Sequence, residues 1–144
     1  MSTGRLLGLD IGSKRIGVAI SDELGMLASP VAMVLRGRND RAEFRALIAE
    51  WKPDKLVAGL PTGLSGREGP QAAETRVYAD ALAAELGLPL DYWDERLSSA
   101  VAERSLIESG VRRDKRKEKI DAMAAAVMLQ GYLDNQRFRN RNNR

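Results

Sequence analysis

Three acidic residues stand where carboxylates are unusual. Asp10 lies inside the apolar run Arg5-Leu6-Leu7-Gly8-Leu9-Asp10-Ile11-Gly12, which has the composition of a strand. Glu95 comes just after the strand-like segment 88–93, and Asp121 lies in the segment 120–129, which is apolar almost all round. An ionised carboxylate that is buried without a partner is strongly destabilising. Each acid therefore needs a cation or hydrogen-bond donors, and the segment that holds Asp10 supplies neither.

A shared metal site is the interpretation that accounts for all three acids together. Three carboxylates that converge in apolar surroundings repel one another unless divalent cations lie between them. Oxygen ligands favour Mg²⁺ or Mn²⁺. Two such ions about 4 Å apart activate a water and stabilise the leaving oxygen in phosphodiester hydrolysis. Glu118, three residues before Asp121, is a candidate fourth ligand on the same side of its helix.

The composition agrees with this chemistry. The chain has no His and no Cys, which excludes thiol nucleophiles, His–Asp triads and zinc sites of the Cys/His type. Each acid also has a purely structural alternative: Asp10 could accept turn amides, Glu95 could pair with Arg96, Asp121 could cap the last helix, and Glu118 could pair with a neighbouring cation. The joint placement of the acids favours the metal site.

The elements that position these acids are three consecutive strands followed by alternating helices and strands. Strands are predicted at 5–12, 16–21 and 26–35, joined as an antiparallel meander, with Pro30 marking an edge or a bulge. A helix then ends at about Trp51, and strands at 55–60 and 88–93 enclose a helix that begins at Pro70. Two further helices are predicted at about 98–109 and 117–134. The fold class is α/β with a mixed five-stranded sheet, in one domain over 1–135.

The helix that carries Asp121 has a packing face. Steps of 3.6 residues from Asp121 reach Ala125, Met128 and Tyr132, all of them apolar or amphipathic. The alanines around position 125 would let this helix approach the sheet closely.

Positive charge is concentrated near the end of the chain. The net charge is +3; the segment 136–144 carries four arginines and no acid, so the remaining residues sum to 3 − 4 = −1. The run 112–119 holds six cations against two anions. This pattern indicates a polyanionic partner, with solvated surface segments as the alternative. The segment 136–144 lacks hydrophobic periodicity and is predicted to be a disordered tail.

Four motifs in order resemble the YqgF/RuvX family, the RuvC-like members of the RNase H superfamily. They are Gly8-Leu9-Asp10-Ile11-Gly12 with Arg15-Ile16-Gly17-Val18-Ala19, then Gly59-Leu60-Pro61 with Gly66 and Gly69, then Asp94-Glu95-Arg96-Leu97-Ser98-Ser99, and Lys119-Ile120-Asp121 with Ala124-Ala125. The resemblance implies an RNase H-like fold with helices on both faces of the sheet. It implies Asp10, Glu95 and Asp121 as metal-binding catalytic acids. It also implies maturation of the small-subunit ribosomal RNA precursor, and by kinship Holliday-junction cleavage. RuvC-type resolvases usually show a fourth acid near the last one, and whether Glu118 fills that place is open.

The leading hypothesis is thus a Mg²⁺- or Mn²⁺-dependent nuclease that acts on structured RNA or branched DNA. Arg15, Arg96 and Lys119 flank the acids in sequence and are candidates for phosphate contacts, with surface ion pairing as the alternative. The glycine-rich loop 59–69 lacks the Walker pattern, although its amides could still meet a phosphate.

Two other classes compete with the nuclease. One is a non-catalytic RNA-binding factor of ribosome assembly. The other is an actin-like phosphotransferase, since Asp10-Ile11-Gly12 fits an Asp-x-Gly phosphate motif, although the chain is short for two lobes. With no cysteine, no signal peptide and no long apolar run, we expect a cytoplasmic protein. A monomer and a homodimer both remain open.

Overall fold

The computed structural model describes residues 3–61, 69–94 and 113–142, the last range with side chains over 120–139. The strands are β1 (Leu6–Ile11), β2 (Arg15–Ser21), β3 (Ala28–Leu35), β4 (Lys55–Leu60) and β5 (Leu90–Asp94). The described helices are α1 (Asp40–Trp51), α2 (Pro70–Leu86) and α3 (Arg113–Asn142). The helix predicted over 98–109 lies outside the described residues.

The five strands form one mixed sheet in the order β3-β2-β1-β4-β5. β1, β2 and β3 pair antiparallel, which confirms the predicted meander. β4 pairs parallel with β1, and β5 pairs parallel with β4. Pro30 lies on the edge strand β3, at a register shift between Val18 and Ala19 of β2, as expected for a residue that cannot donate to a ladder.

Alternation along the strands divides the core into two layers. Leu7, Leu9 and Ile11 of β1 pack with Phe44 of α1 and Leu82 of α2 on one face of the sheet. The opposite face is covered by α3, whose contribution to the second layer is Ala125, Ala126, Met128, Leu129, Tyr132 and Leu133. Because neighbours on a strand point to opposite faces, Asp10 lies on the side of α3.

Helix α3 packs against the backbone of the sheet. A Cβ atom added to Gly17 would lie 1.7 Å from the backbone oxygen of Asp121. One added to Gly8 would lie 3.0 Å from Cβ of Leu129. The predicted stripe of Ala125, Met128 and Tyr132 is buried, which confirms the packing face of this helix. Small residues on both partners therefore allow the close approach.

The end of α3 differs from the prediction. The helix continues through Asn142 rather than ending near Asp134, so most of the segment predicted to be a disordered tail is helical. No Gly or Pro interrupts the sequence after Gly131, and adding residues to an anchored helix costs little compared with starting one. Arg137 pairs with Asp134 at 2.6 Å and contacts the sulfur of Met26 at 3.2 Å. No helix in the described part of the chain is long and apolar enough to cross a membrane.

A polar cluster joins α3 to the parallel strands near their amino ends. The Tyr132 hydroxyl donates to Oδ2 of Asp91 at 2.7 Å and accepts from Nζ of Lys55 at 3.0 Å. Lys55 also pairs with Asp91 at 3.3 Å. The hydrogen bond from Tyr132 is the main cause that lowers the pKa of Asp91 below its ordinary 3.8, with burial acting against it. The cluster therefore stabilises the ionised form of this acid.

We expect Tyr132→Phe to lower the free energy of unfolding by about 1 kcal/mol near neutral pH, because a hydrogen bond to a charged group is lost. The folded-state pKa of Asp91 is depressed, so its contribution is present above 3.8 and is lost as the pH falls through that folded-state pKa. Urea unfolding of the wild-type protein and of Tyr132→Phe at several pH values measures the difference in their free energies of unfolding, which should shrink in acid. A difference that stays constant with pH would contradict this account.

We also expect Gly17→Ala to destabilise the fold by about 3 kcal/mol, the upper end for overpacking, because the new Cβ meets a helix backbone atom that has little freedom to move. Gly8→Ala is the matched control, since its Cβ meets the side chain of Leu129 instead. Thermal unfolding should show a clearly smaller loss for Gly8→Ala. Equal losses would mean that the carbonyl contact at Gly17 is not the tighter of the two.

Candidate active site

The structure brings together two of the three predicted acids. Asp10 is the next-to-last residue of β1 and is paired with Gly17 of the neighbouring strand β2. Paired residues on antiparallel strands have Cα atoms about 5 Å apart. The backbone of Asp121 lies directly on Gly17. Residues from opposite ends of the chain therefore meet at the carboxyl end of β1.

The two carboxylates influence each other electrostatically. The pKa of Asp121 is raised above its ordinary 3.8, first by burial and also by the charge of Asp10, while the charge of Arg15 acts in the opposite direction. Its side chain is 23% exposed. The ionised form of Asp121 is thus disfavoured in the protein alone, and perturbed carboxylates of this kind are enriched at functional sites.

Arg15, at the start of β2, is the counter-ion of Asp121. Its Nε lies 3.0 Å from Oδ2 of Asp121. The contact has the distance of an ion pair but not the alignment of a hydrogen bond, and Oδ2 is buried and has no hydrogen-bond partner among the residues that the structure describes. Buried carboxylate oxygens are normally satisfied by donors. Among the described residues, the charge of Oδ2 is therefore balanced by the ion pair with Arg15 and not by an aligned donor.

A cleft of about 350 Å³ opens beside these residues, lined by Gly12, Ser13, Lys14, Arg15 and Asp121. Most of its lining comes from the tight turn between β1 and β2. In this turn the amide of Gly12 donates to the carbonyl of Arg15 at 2.8 Å. Lys14 and Arg15 therefore make one part of the cleft lining basic, and Asp121 contributes an acid to the same lining.

Arg36, the residue directly after β3, holds this turn in place. Its Nη1 donates to the carbonyl of Gly12 at 2.9 Å, and its backbone amide donates to the carbonyl of Lys14 at 2.9 Å. The guanidinium also lies 4.3 Å from the centre of the Tyr78 ring and pairs with Glu74 at 3.3 Å. The β1–β2 turn is thereby fixed relative to α2.

The residues present fit a divalent cation. Asp10 and Asp121 both lie at Gly17 and their charges interact, and no described residue gives Oδ2 of Asp121 an aligned donor. Carboxylate oxygens are the ligands that Mg²⁺ and Mn²⁺ prefer, and a cation would remove the repulsion between the two acids. Within the ranges that the structure describes, no group of three acids that could hold a metal is found. Asp10 and Asp121 are thus the part of the predicted site that can be observed.

The remaining predicted site residues lie outside the described parts. Glu95 and Arg96 directly follow Asp94, the last residue of β5. Lys119 and Glu118 belong to the backbone of α3, but their side chains are not described. Their roles stay predictions.

Sequence reasoning missed Lys14 and Arg36. The position of Lys14 between Asp10 and Arg15 is a sequence signal that it shares their cleft. Arg36 carries no local signal, because its partners Gly12 and Glu74 are reached only through the fold.

Comparison with solved structures defines the class of fold. Thermus thermophilus RuvC in complex with a Holliday junction substrate superposes with a TM-score of 0.53 over 92% of this chain and 94% of that chain, at 14% identity. The fowlpox virus Holliday junction resolvase superposes with a TM-score of 0.52 over 91% of this chain and 99% of that chain, also at 14% identity. The fold is therefore the RNase H-like fold of the RuvC type, as the sequence predicts.

Sequence comparison then gives the family. Residues 4–135 match the RuvX family, described as Holliday junction resolvase. A relative from Clostridioides difficile is 46% identical over 136 residues, which cover 93% of this chain and 96% of the relative. A relative from Lactococcus lactis is 48% identical over 134 residues, which cover 90% of this chain and 94% of the relative. Both bear the name "Putative pre-16S rRNA nuclease". The chain belongs to the RuvX family.

We expect Asp121→Asn to raise the melting temperature of the metal-free protein at neutral pH. The substitution removes a half-buried charge that burial and Asp10 disfavour, and it sacrifices only a partly exposed ion pair, which is typically worth about 0–1 kcal/mol. Thermal unfolding in a chelating buffer measures the effect.

Asp134→Asn on the same helix is the control for that experiment. Asp134 is exposed and also paired with an arginine, so its substitution should change stability by less than about 0.5 kcal/mol. A lower melting temperature for Asp121→Asn would show that the ion pair with Arg15 outweighs the cost of burying the charge.

Proposed function

We propose that this protein is a divalent-metal-dependent nuclease that hydrolyses phosphodiester bonds of structured nucleic acid. The observation that carries the proposal is the convergence of Asp10 and Asp121 beside a basic cleft. Membership of the RuvX family supports it. The names of the relatives make the precursor of 16S ribosomal RNA the first substrate to test, and the family description makes a Holliday junction the second. A ribosomal substrate would place the protein in the cytoplasm.

Asp10, Glu95 and Asp121 are the proposed metal-binding catalytic acids, with Mg²⁺ or Mn²⁺ as the cation. When bound, a pair of such ions polarises the attacking water and stabilises the leaving oxygen. The protein supplies the positions of the carboxylates. Asp10 is fixed by the ladder of β1, and Asp121 is fixed by the contact of its own backbone with Gly17. Neither carboxylate depends on a loop for its place.

Basic residues bind the backbone of the substrate in this proposal. Lys14 and Arg15 line the cleft next to the acids, and Arg96 and Lys119 follow or precede proposed ligands in sequence. Phosphate contacts dominate affinity in such a design, so binding weakens as salt is added. Arg137 and Arg139 are exposed on α3 and extend the positive surface beyond the cleft.

A non-catalytic RNA-binding factor is the competing function. The positive charges of Lys14 and Arg15 would raise the affinity of such a factor for RNA, but a pair of carboxylates beside the phosphates would lower it. The acids therefore favour the nuclease.

We expect Asp10→Asn, Glu95→Gln and Asp121→Asn each to reduce cleavage at least about a hundredfold, since even residues that only support metal ligands are worth about 10–100-fold. Cleavage of a 16S precursor RNA and of a four-way DNA junction, side by side with Mg²⁺ and with Mn²⁺, measures the loss. Fluorescence anisotropy should show that substrate binding is retained.

Asp134→Asn is again the matched control, because this acid lies on α3 away from the cleft. It should cleave like the wild-type protein. An acid whose variant cleaves normally has no part in the mechanism. Binding of both substrates by the wild-type protein, with cleavage of neither in either metal, would identify an RNA-binding factor instead.

A further inference from the structure

Arg15 has two competing uses within one cleft. Its guanidinium neutralises Asp121 at 3.0 Å, and the same side chain lines the open cleft beside Lys14. In the proposed function, a cation needs the Asp121 oxygen and a phosphate needs a guanidinium. Arg15 cannot place the same edge of its guanidinium against Asp121 and against a phosphate at once.

The ion pair between Arg15 and Asp121 is poorly suited to persist when a metal is present. The two side chains are 39% and 23% exposed, and Oδ2 accepts no aligned hydrogen bond from the described part of the chain. Pairs this exposed typically change an equilibrium by no more than about fivefold. A divalent cation brings twice the charge and can contact Asp10 and Asp121 together. The cation should therefore displace the guanidinium.

We propose that Arg15 is a metal-released phosphate ligand: it serves as the counter-ion of Asp121 in the metal-free protein, and cation binding frees it to contact the nucleic-acid backbone. This inference rests on the proposed function of the site. A released guanidinium is well matched to phosphate, since its planar fork donates two parallel hydrogen bonds. Arg15 is anchored at the first residue of β2, so its side chain stays at the cleft in both states.

The mechanism couples metal and nucleic acid through one side chain. Metal binding raises the affinity for nucleic acid because it releases Arg15, and nucleic acid raises the affinity for metal by the same factor, as linkage requires. In the absence of nucleic acid, Arg15 competes with the metal for Asp121. Removing Arg15 should therefore strengthen metal binding while it weakens the response of nucleic-acid binding to metal.

The first arm of the test measures metal binding alone. Isothermal titration of Mn²⁺ into the wild-type protein, Arg15→Ala and Arg15→Gln, without nucleic acid, should give dissociation constants about two- to fivefold lower for the two variants. Lys14→Ala is the matched control. It removes one positive charge from the same cleft but has no ion pair with Asp121 among the described contacts, so its effect should stay below about twofold.

The second arm measures the coupling. Anisotropy of a labelled four-way DNA junction in EDTA and in Ca²⁺, with Ca²⁺ binding verified by titration, gives the factor by which a divalent cation raises affinity. This factor should be severalfold smaller in the Arg15 variants than in the wild-type protein. Lys14→Ala loses a proposed phosphate contact, so its affinity should fall by a similar ratio in EDTA and in Ca²⁺ and the factor itself should be retained. Circular dichroism and thermal unfolding check that each variant is folded, and two substitutions at Arg15 guard against a variant that is not.

The outcomes separate this inference from the proposed function. If no variant and no wild-type protein binds Mn²⁺, the metal-dependent function fails and the inference fails with it. If Mn²⁺ binds the wild-type protein and the Arg15 variants equally, or binds the variants more weakly than Lys14→Ala, only the inference is overturned. Tighter Mn²⁺ binding in the Arg15 variants, together with a smaller coupling factor, supports it.

Discussion

The contact between the backbone of Asp121 and Gly17 is the constraint on which the rest of the site depends. No side chain larger than hydrogen fits at position 17, because a Cβ there would lie 1.7 Å from the carbonyl oxygen. Gly17 is paired with Asp10 on β1, so the same contact that seats α3 also sets the separation of the two acids. The repulsion between Asp10 and Asp121 is tolerated because the packing of Ala125, Met128 and the rest of the α3 face against the sheet holds them there.

The sequence predicted the parts of this arrangement that are encoded locally. An acid inside the apolar run of β1, and an acid on the apolar stripe of α3, are visible from composition and periodicity alone. Their meeting required more, because it depends on the axial position of α3 on the sheet. That position is set by the fit of Gly8 and Gly17 against the helix, and the pattern of small residues indicates close approach without specifying which partner meets which.

Elements whose limits are set by distant contacts were predicted less well. The helix that starts at Pro70 ends where expected, because Gly87 adopts a left-handed conformation with φ of 69° and stops it locally. The end of α3 carries no such signal. Gln130 bonds to the backbone of Met26 and Ala28, and Arg137 contacts the sulfur of Met26, so this part of α3 rests on the β2–β3 turn, far away in sequence. Hydrophobic periodicity fades before the helix does, since polar contacts rather than a core continue it.

Two acids, one that hydrogen-bonds to α3 and one that belongs to α3, show how the fold separates stability from function. Asp91 receives hydrogen bonds from Tyr132 and Lys55, and its pKa is lowered. Asp121, about three helical turns away from Tyr132 along α3, is half-buried beside another acid, and its pKa is raised. The first carboxylate is satisfied by the protein itself and stabilises the contact between helix and strands. The second has a buried oxygen that accepts no aligned hydrogen bond from the described residues. A protein that selection favoured only for stability would gain by giving Asp121 the kind of partners that Asp91 has. Leaving it unsatisfied makes sense where an external cation completes the site.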